Sequence, residues 1–423
     1  MMKSRNRRIS LIVPVLALAL VVPGTAMAEP ATTGAQALTT AWSAAMQRPS
    51  IGFEKNWAEE GFSRQSVRQV VRVTAGGKGV RIRLSNQYGA SPLKVAGATI
   101  ALAGKGAAVR QGTVRRLTFG RAEQMVIPVG GQVASDLADL EVKAMEQVTV
   151  TLYLPETTGP ATTHLQGYAT TYRSGGDHRA DTDGSAFTDK DTTHSWYFLS
   201  AVDVAANRRN TRQTVVALGD SITDGFGSGN DANNRYPDEL AERLTAAGKP
   251  RPVLNAGIGG GMVLSDSAWF GEKLGTRLRR DVLDNPRVGT MIVLGGLNDI
   301  GFSEIDLPTY KPNPDRSVAD LIAGHRDLIR RAHDKGIKVV GATLLPMKGA
   351  EYYTPSSAEK IRLLNEWIRT SGEYDAVADF NKAVADPADP EKLRADFDSG
   401  DHKHPNAAGY SAMAGAVDLD SLW

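Results

Sequence analysis

The 423-residue sequence contains no cysteine. That absence excludes a disulfide framework, a thiol nucleophile and any thiolate metal site, so stability has to come from packed cores. A charge excess is missing too: 49 lysines and arginines face 47 aspartates and glutamates, with no long run of one sign. Neither a nucleic-acid footprint nor a polybasic membrane patch is expected from such a balance. Long apolar runs are absent apart from Ile9 to Val22. That run falls short of the roughly 18 to 20 residues needed to span a bilayer, and Pro14 and Pro23 interrupt it. No repeat of solenoid or propeller period is visible.

What surrounds Ile9 to Val22 is the pattern of a secretory signal peptide. Lys3, Arg5, Arg7 and Arg8 precede it, and Ala26-Met27-Ala28 supplies the small residues that a signal peptidase reads. Cleavage after Ala28 and a secreted or periplasmic product without stable membrane insertion are expected. The remaining length exceeds what one hydrophobic core supports, which predicts two domains.

After a short polar segment, residues 29–205 offer repeated short β-rich runs: Ser66 to Thr74, Gly79 to Ser85, Ala98 to Ala103, Val114 to Phe119, Met125 to Val129, Gln147 to Leu154, Tyr168 to Arg173 and Ser195 to Val204. Strict alternation in Val80-Arg81-Ile82-Arg83-Leu84 and Val148-Thr149-Val150-Thr151-Leu152 makes one face apolar and the other wet, the signature of an antiparallel β-sandwich. Arg68, Arg72, Arg81 and Arg83 fall on the polar faces and read as solvated charges that discourage edge pairing. Asp177 to Asp189 has the composition of a calcium loop, but Arg179 and Lys190 occupy its first and last ligand positions, so it reads as a flexible polar loop. Ala205 to Asn210 has the polar character of a linker.

Within residues 206–423 the periodicity changes to strands alternating with helices, which predicts a mostly parallel sheet covered by helices. Val215 to Leu218, Val253 to Asn255, Thr290 to Leu294, Ile337 to Thr343 and Tyr374 to Phe380 are the strands. Pro237 with Asp238 and Glu239 opens one helix, and Ser317 caps another whose apolar stripe ends at Gly336. Further helices run from Ser357 to Arg369 and from Ala407 to about Leu419. His325 lies on or beside the Ser317 helix's stripe and reads as a packing or surface residue.

Successive strand ends carry Ser221, a glycine-rich turn and Asn298, while a loop near the C-terminus carries Asp401 and His404. A serine hydroxyl is a weak nucleophile and needs a histidine oriented by a carboxylate. Asp401 and His404, three residues apart, can meet locally. The backbone N–H of Ser221, the N–H of Gly260 and the side-chain amide of Asn298 are the candidate donors to an oxyanion, with Gly259 and Gly261 open as alternatives to Gly260. Asp224 and Asp299 read as carboxylates that fix loops through backbone N–H groups. Asp401, His402 and His404 do not complete a metal shell without cysteine or an HExxH pair.

Read in order, Gly219-Asp220-Ser221-Ile222-Thr223, Asn255-Ala256-Gly257-Ile258-Gly259-Gly260, Gly296-Leu297-Asn298-Asp299 and Asp401-His402-Lys403-His404-Pro405 resemble the four blocks of the SGNH, or GDSL-type, esterase and lipase family. Ile222 stands where the name-giving form has leucine. The resemblance covers roughly the second half of the chain. It implies a three-layer α/β/α hydrolase domain, no metal or other cofactor, and Ser221, Gly260, Asn298 and His404 as catalytic residues with Asp401 in support. Similar sandwich-plus-hydrolase arrangements occur among secreted bacterial members.

The expected activity is hydrolysis of carboxylic esters through an acyl-enzyme, on a small-molecule or glycan ester with a short acyl group, acetyl groups on carbohydrate included. An acyltransferase using the same site, or an idle carbohydrate-binding protein, are the alternatives. The loops Phe226 to Asn234, Met262 to Phe270 and Lys348 to Pro355 are expected to set selectivity. Trp269, Tyr352 and Tyr353 within them either line a pocket or pack.

Overall fold

Thr214–Gly219 is buried along its whole length, a property that a strand acquires at the centre of a sheet covered on both faces. In the computed structural model, which describes residues 37–188, 191–205 and 213–423, it lies between Val253–Gly257 and Val288–Leu294. Lys338–Ala342 and Ala376–Ala378 follow outward from the latter, and all five strands are parallel. The spatial order is therefore second, first, third, fourth, fifth. Progression across the sheet reverses beside the first strand, and ligands of such sheets bind beyond the carboxyl ends at the reversal. Ser221 follows the first strand there, and Asn298 follows the third.

The helices form where the caps place them. Ser317 accepts the Asp320 N–H at 3.1 Å while Asp320 reaches back to the Ser317 N–H, and the helix Val318–His333 buries Leu321, Leu328, Ile329 and Ala332. His325 is packed: Tyr374 donates to its Nδ1, and its Nε2 lies 3.1 Å from the Gly295 carbonyl. Burial pulls this imidazole down to about 4, so it is neutral. Tyr236–Ala246, Pro355–Thr370 and Ala407–Gly415 are the other long helices.

The N-terminal half carries two large antiparallel sheets around one apolar core, with two further two-stranded sheets beside them. A six-stranded sheet is centred on Gln65–Arg72 and Gln147–Leu154, which pair in full register from Gln65 opposite Leu154. A four-stranded sheet runs in the order Leu38–Ser43, Leu199–Ala205, Val80–Ser85, Gln132–Ala134. Val67, Val71, Ile82, Leu84, Val150 and Val202 meet in the core between them. The expected strands are present with ends shifted by a few residues, except that Ser195 to Val204 divides into Trp196–Tyr197 and Leu199–Ala205 in different sheets, while Leu38–Ser43 lies in a stretch that reads as polar. A separate core fills the parallel-sheet half. The expected signal peptide and most of the expected linker lie outside the described residues. Among the described residues no helix is long and apolar enough to cross a membrane.

The four arginines are paired rather than free solvated charges, although Arg72, Arg81 and Arg83 stay partly exposed. Arg68 is buried and donates to Thr151 Oγ1 and to the carbonyls of Ala107, His178 and Asp181 at 2.7 to 3.1 Å, with Phe187 beneath its guanidinium. Residues 177–188 of the segment expected to be a flexible polar loop are thereby anchored over the outer face of the sheet. Arg81 and Arg83 converge on the buried Asp203 carboxylate. Arg72 reaches across to Glu242 and Asp238 on the helix Tyr236–Ala246. Alternation reports which side chains leave the core, and a covering layer built from distant segments leaves no mark in it.

Candidate active site

The turn that presents Ser221 is tight. A Cβ on Gly219 would sit 2.1 Å from Thr223 Oγ1 and 2.7 Å from the Leu294 carbonyl, so the strand exit admits only glycine. Asp220 caps the short helix Ser221–Asp224 by accepting the Ile222 N–H at 3.0 Å. As the first helical residue, Ser221 has no intrahelical acceptor for its own N–H, and no other acceptor among the described residues takes it. The second oxygen of Asp220 is buried without a partner. Burial, with the nearby Asp299 charge adding to it, pushes this carboxyl up to about 7.

Ser221 Oγ lies 2.7 Å from His404 Nε2, and His404 Nδ1 lies 2.5 Å from Asp401 Oδ2. The other Asp401 oxygen accepts the backbone N–H groups of Lys403 and His404 at 3.1 and 2.9 Å. With Nδ1–H donating to the carboxylate, Nε2 is left to accept the serine proton. Burial works to raise Asp401, but the hydrogen bond and charge of His404 and the two backbone donors outweigh it and hold the carboxyl well below its usual range. The Phe226 ring packs on His404 with centroids 4.4 Å apart. His402 turns away to Asp398 at 2.6 Å. Among the described residues no group of three His, Asp or Glu side chains is arranged to hold a metal ion.

Hydrogen bonding separates the three glycines that the sequence leaves open. Ile258 to Gly261 is a turn in which the Gly261 N–H donates to the Ile258 carbonyl at 2.9 Å, and Gly260 takes the left-handed conformation at φ +72°. The Gly259 N–H donates to Asp224 at 3.0 Å. Of the three, only Gly260 has an N–H without an acceptor among the described residues. One N–H of the Asn298 amide is held by the Gly261 carbonyl at 3.0 Å, which fixes the group and leaves its second N–H.

Ser221, Gly260, Asn298, His404 and Asp401 line one pocket. Asp299 stays outside it and accepts the N–H groups of Val263 and Leu264 at 2.8 and 2.9 Å, as expected of a loop-fixing carboxylate, with burial pushing it up to about 6. Beneath the floor the fully buried Arg277 donates to the Gly219 and Ala256 carbonyls, both at 2.6 Å, tying the first two strand ends together.

Several wall residues are not legible in the sequence. Phe270, Phe302 and Tyr310 stack along one side, Phe302 on Tyr310 with centroids 4.4 Å apart, and Tyr352 meets them edge-on. Phe53 and Gln166 enter from the N-terminal half. Only an aromatic-rich loop composition hints at the first group, and nothing local marks the second. Of the aromatics singled out from the loops, Tyr352 lines the pocket. Trp269 lines an adjoining groove beside Phe53, and Tyr353 lies elsewhere with its hydroxyl on Glu391.

A family model described as GDSL-like lipase/acylhydrolase matches residues 217–412. This segment belongs to that family. The GDSL-like segment makes the chain a carboxylic-ester hydrolase. Among solved structures, a putative lipolytic protein of the G-D-S-L family from Desulfitobacterium hafniense is 22% identical, with 48% of this chain and 97% of that one covered at a TM-score of 0.37. An acetyl xylan esterase from Geobacillus stearothermophilus is 20% identical over 50% of this chain and 95% of its own, at a TM-score of 0.38. A lipase/acylhydrolase from Enterococcus faecalis is 19% identical over 48% and 92%, also at 0.38. No curated protein matches the sequence.

Proposed function

We propose that the protein is a secreted serine esterase that removes short acyl groups, acetyl groups on carbohydrate among its substrates, through an acyl-enzyme. His404 takes the proton of Ser221 as Oγ attacks the ester carbonyl, and returns it to the departing alcohol. Water then repeats the sequence and frees the acid. Asp401 holds the imidazole in the required tautomer and stabilises its charged form. The N–H groups of Ser221 and Gly260 and the Asn298 amide receive the oxyanion.

The observation that carries this reading is the unbroken line Ser221–His404–Asp401, at 2.7 and 2.5 Å, facing backbone donors that have no acceptor among the described residues. The stacked aromatic wall close to Ser221 favours a short acyl group. Residues 1–28 as a signal peptide support export, and the division of the chain at 205/206 belongs to the same proposal. The test is hydrolysis of a short aryl ester by wild type and Ser221→Ala. The variant is expected to lose at least about 10⁴-fold in kcat, and comparable rates would overturn the assignment.

A further inference from the structure

His164 belongs to the N-terminal half, in the two-residue strand Thr163–His164, yet its ring reaches the residue three positions beyond Ser221. Its Nε2 lies 2.9 Å from Asp224 Oδ1, and its Nδ1 lies 2.8 Å from the Ala45 carbonyl. Both side chains are almost wholly buried. The second Asp224 oxygen accepts the N–H of Gly259, the neighbour of the unpaired Gly260 N–H.

We propose that the N-terminal sheets position the oxyanion-binding turn through this buried chain, and that His164 is a positioning residue for ester hydrolysis. The inference rests on the reading of Gly260 as an oxyanion donor. Each link has a physical reason. Both ring nitrogens lie against acceptor groups, a carbonyl and a carboxylate, an arrangement that favours the doubly protonated ring. Burial pulls the imidazole down, but the Asp224 charge and the two hydrogen bonds outweigh it and keep it above the ordinary histidine value. Arg235, also close, opposes that rise. A buried ion pair holds only with good geometry, and both Asp224 oxygens are used, one on the imidazole and one on the turn. Gly259 and Gly260 share that turn, so a shift of the first swings the N–H of the second.

Two further contacts from the N-terminal half close on the same turn. A Cβ on Gly259 would lie 1.9 Å from Gln166 Oε1. Gln47 Nε2 donates to the Phe270 carbonyl at 3.2 Å, and the Phe270 ring covers Gly260 so closely that a Cβ there would lie 2.2 Å from it. Other polar links between the two halves, such as Arg72 with Glu242 and Thr74 with Val253, lie away from the pocket. They hold the halves together without touching the turn, so His164 is set apart by what it is attached to.

The experiment compares wild type, His164→Phe and His164→Gln on a short aryl ester, with Ser221→Ala as a separate control. Phenylalanine keeps a ring against Trp196, whose centroid is 5.4 Å away, and removes both hydrogen bonds. Displacing one donor predicts a kcat about 10- to 100-fold lower per active site, counted with a fluorophosphonate, and a KM within about threefold of wild type. Affinity for an arylboronic acid, whose tetrahedral adduct carries the oxyanion's charge, is expected to fall in parallel. Glutamine, which can donate to Asp224, is expected to recover most of the loss. A folded His164→Phe with unchanged per-site kcat overturns the inference, as does a loss explained wholly by fewer titratable sites. If His164→Phe does not fold, Asp224→Asn, which retains one acceptor for two donors, is read against the same criteria. Wild-type rates in Ser221→Ala would instead overturn the parent reading, whereas an inactive Ser221→Ala beside an unimpaired His164→Phe removes this inference alone.

Discussion

The two halves of the molecule use their strands differently. In the parallel sheet the first strand is buried throughout, and the groups that face the pocket leave from strand ends: Ser221 after the first, Gly260 after the second, Asn298 after the third. In the antiparallel half polar side chains leave from within strands, as Arg68, Arg81 and Arg83 do, and are satisfied by a covering loop, by Asp203 on the neighbouring strand or, for Arg83, also by Asn285 of the other half. Strand ends free the backbone N–H groups that acyl transfer needs, while strand middles offer anchoring points. Substitutions in the first set should slow turnover at nearly constant stability, and those in the second should destabilise at nearly constant turnover.

The largest effect that would sharpen this contrast is in Asp401→Asn. The amide keeps an oxygen for the Lys403 and His404 N–H groups but presents a donor to Nδ1, imposing the wrong tautomer. A loss of about 10⁴-fold in kcat with a near-normal thermal midpoint is expected. Asn298→Ala comes next, with about 10²- to 10³-fold, or roughly 3 to 4 kcal/mol, read from kcat/KM on the same ester. On the other side of the comparison, Arg68→Ala removes four hydrogen bonds and strands buried carbonyls. It is expected to cost about 2 to 3 kcal/mol in denaturant unfolding while kcat holds. A kcat that fell with Arg68 would break the contrast.

A fourth effect is a pH dependence. Asp220 is raised to about 7 in the fold from an ordinary value of 3.8, so the folded state holds the proton more tightly than the unfolded one. Its contribution is fully present below about 4 and is lost as pH rises toward 7, by up to about 1.4 kcal/mol for each pH unit. Asp220→Asn should flatten that part of the stability profile, measured by unfolding between pH 4 and 8. An unchanged slope would show that the carboxyl is already ionised across the range.

What was legible in the sequence is local. The serine block, the Asp401 and His404 pair, the Ser317 cap and the Gln147–Leu154 strand each depend on residues within one turn or one period of each other. What was illegible depends on closure over long separations. Phe53 and Gln166 share a pocket with Ser221, and Asp224 forms an ion pair with His164 as well as fixing a loop through Gly259. The arginines failed for the same reason, because their partners, a covering loop for Arg68, Asp203 for Arg81 and Arg83 and the helix Tyr236–Ala246 for Arg72, are remote in the chain. Choosing among Gly259, Gly260 and Gly261 needed hydrogen-bond partners, since the three residues are chemically identical.

The walls of the pocket differ in how they can change. Gly259 is closed off by Gln166 and Gly260 by Phe270, so any side chain added to the turn collides with a neighbour. The wall that continues from Phe270 is made of Phe302, Tyr310 and Tyr352, rings carried on separate segments that can be exchanged one at a time. Drift in acyl preference, whether natural or imposed by directed evolution, is therefore channelled to one side of the cavity. The glycine side acts as a fixed ruler against which the other is measured.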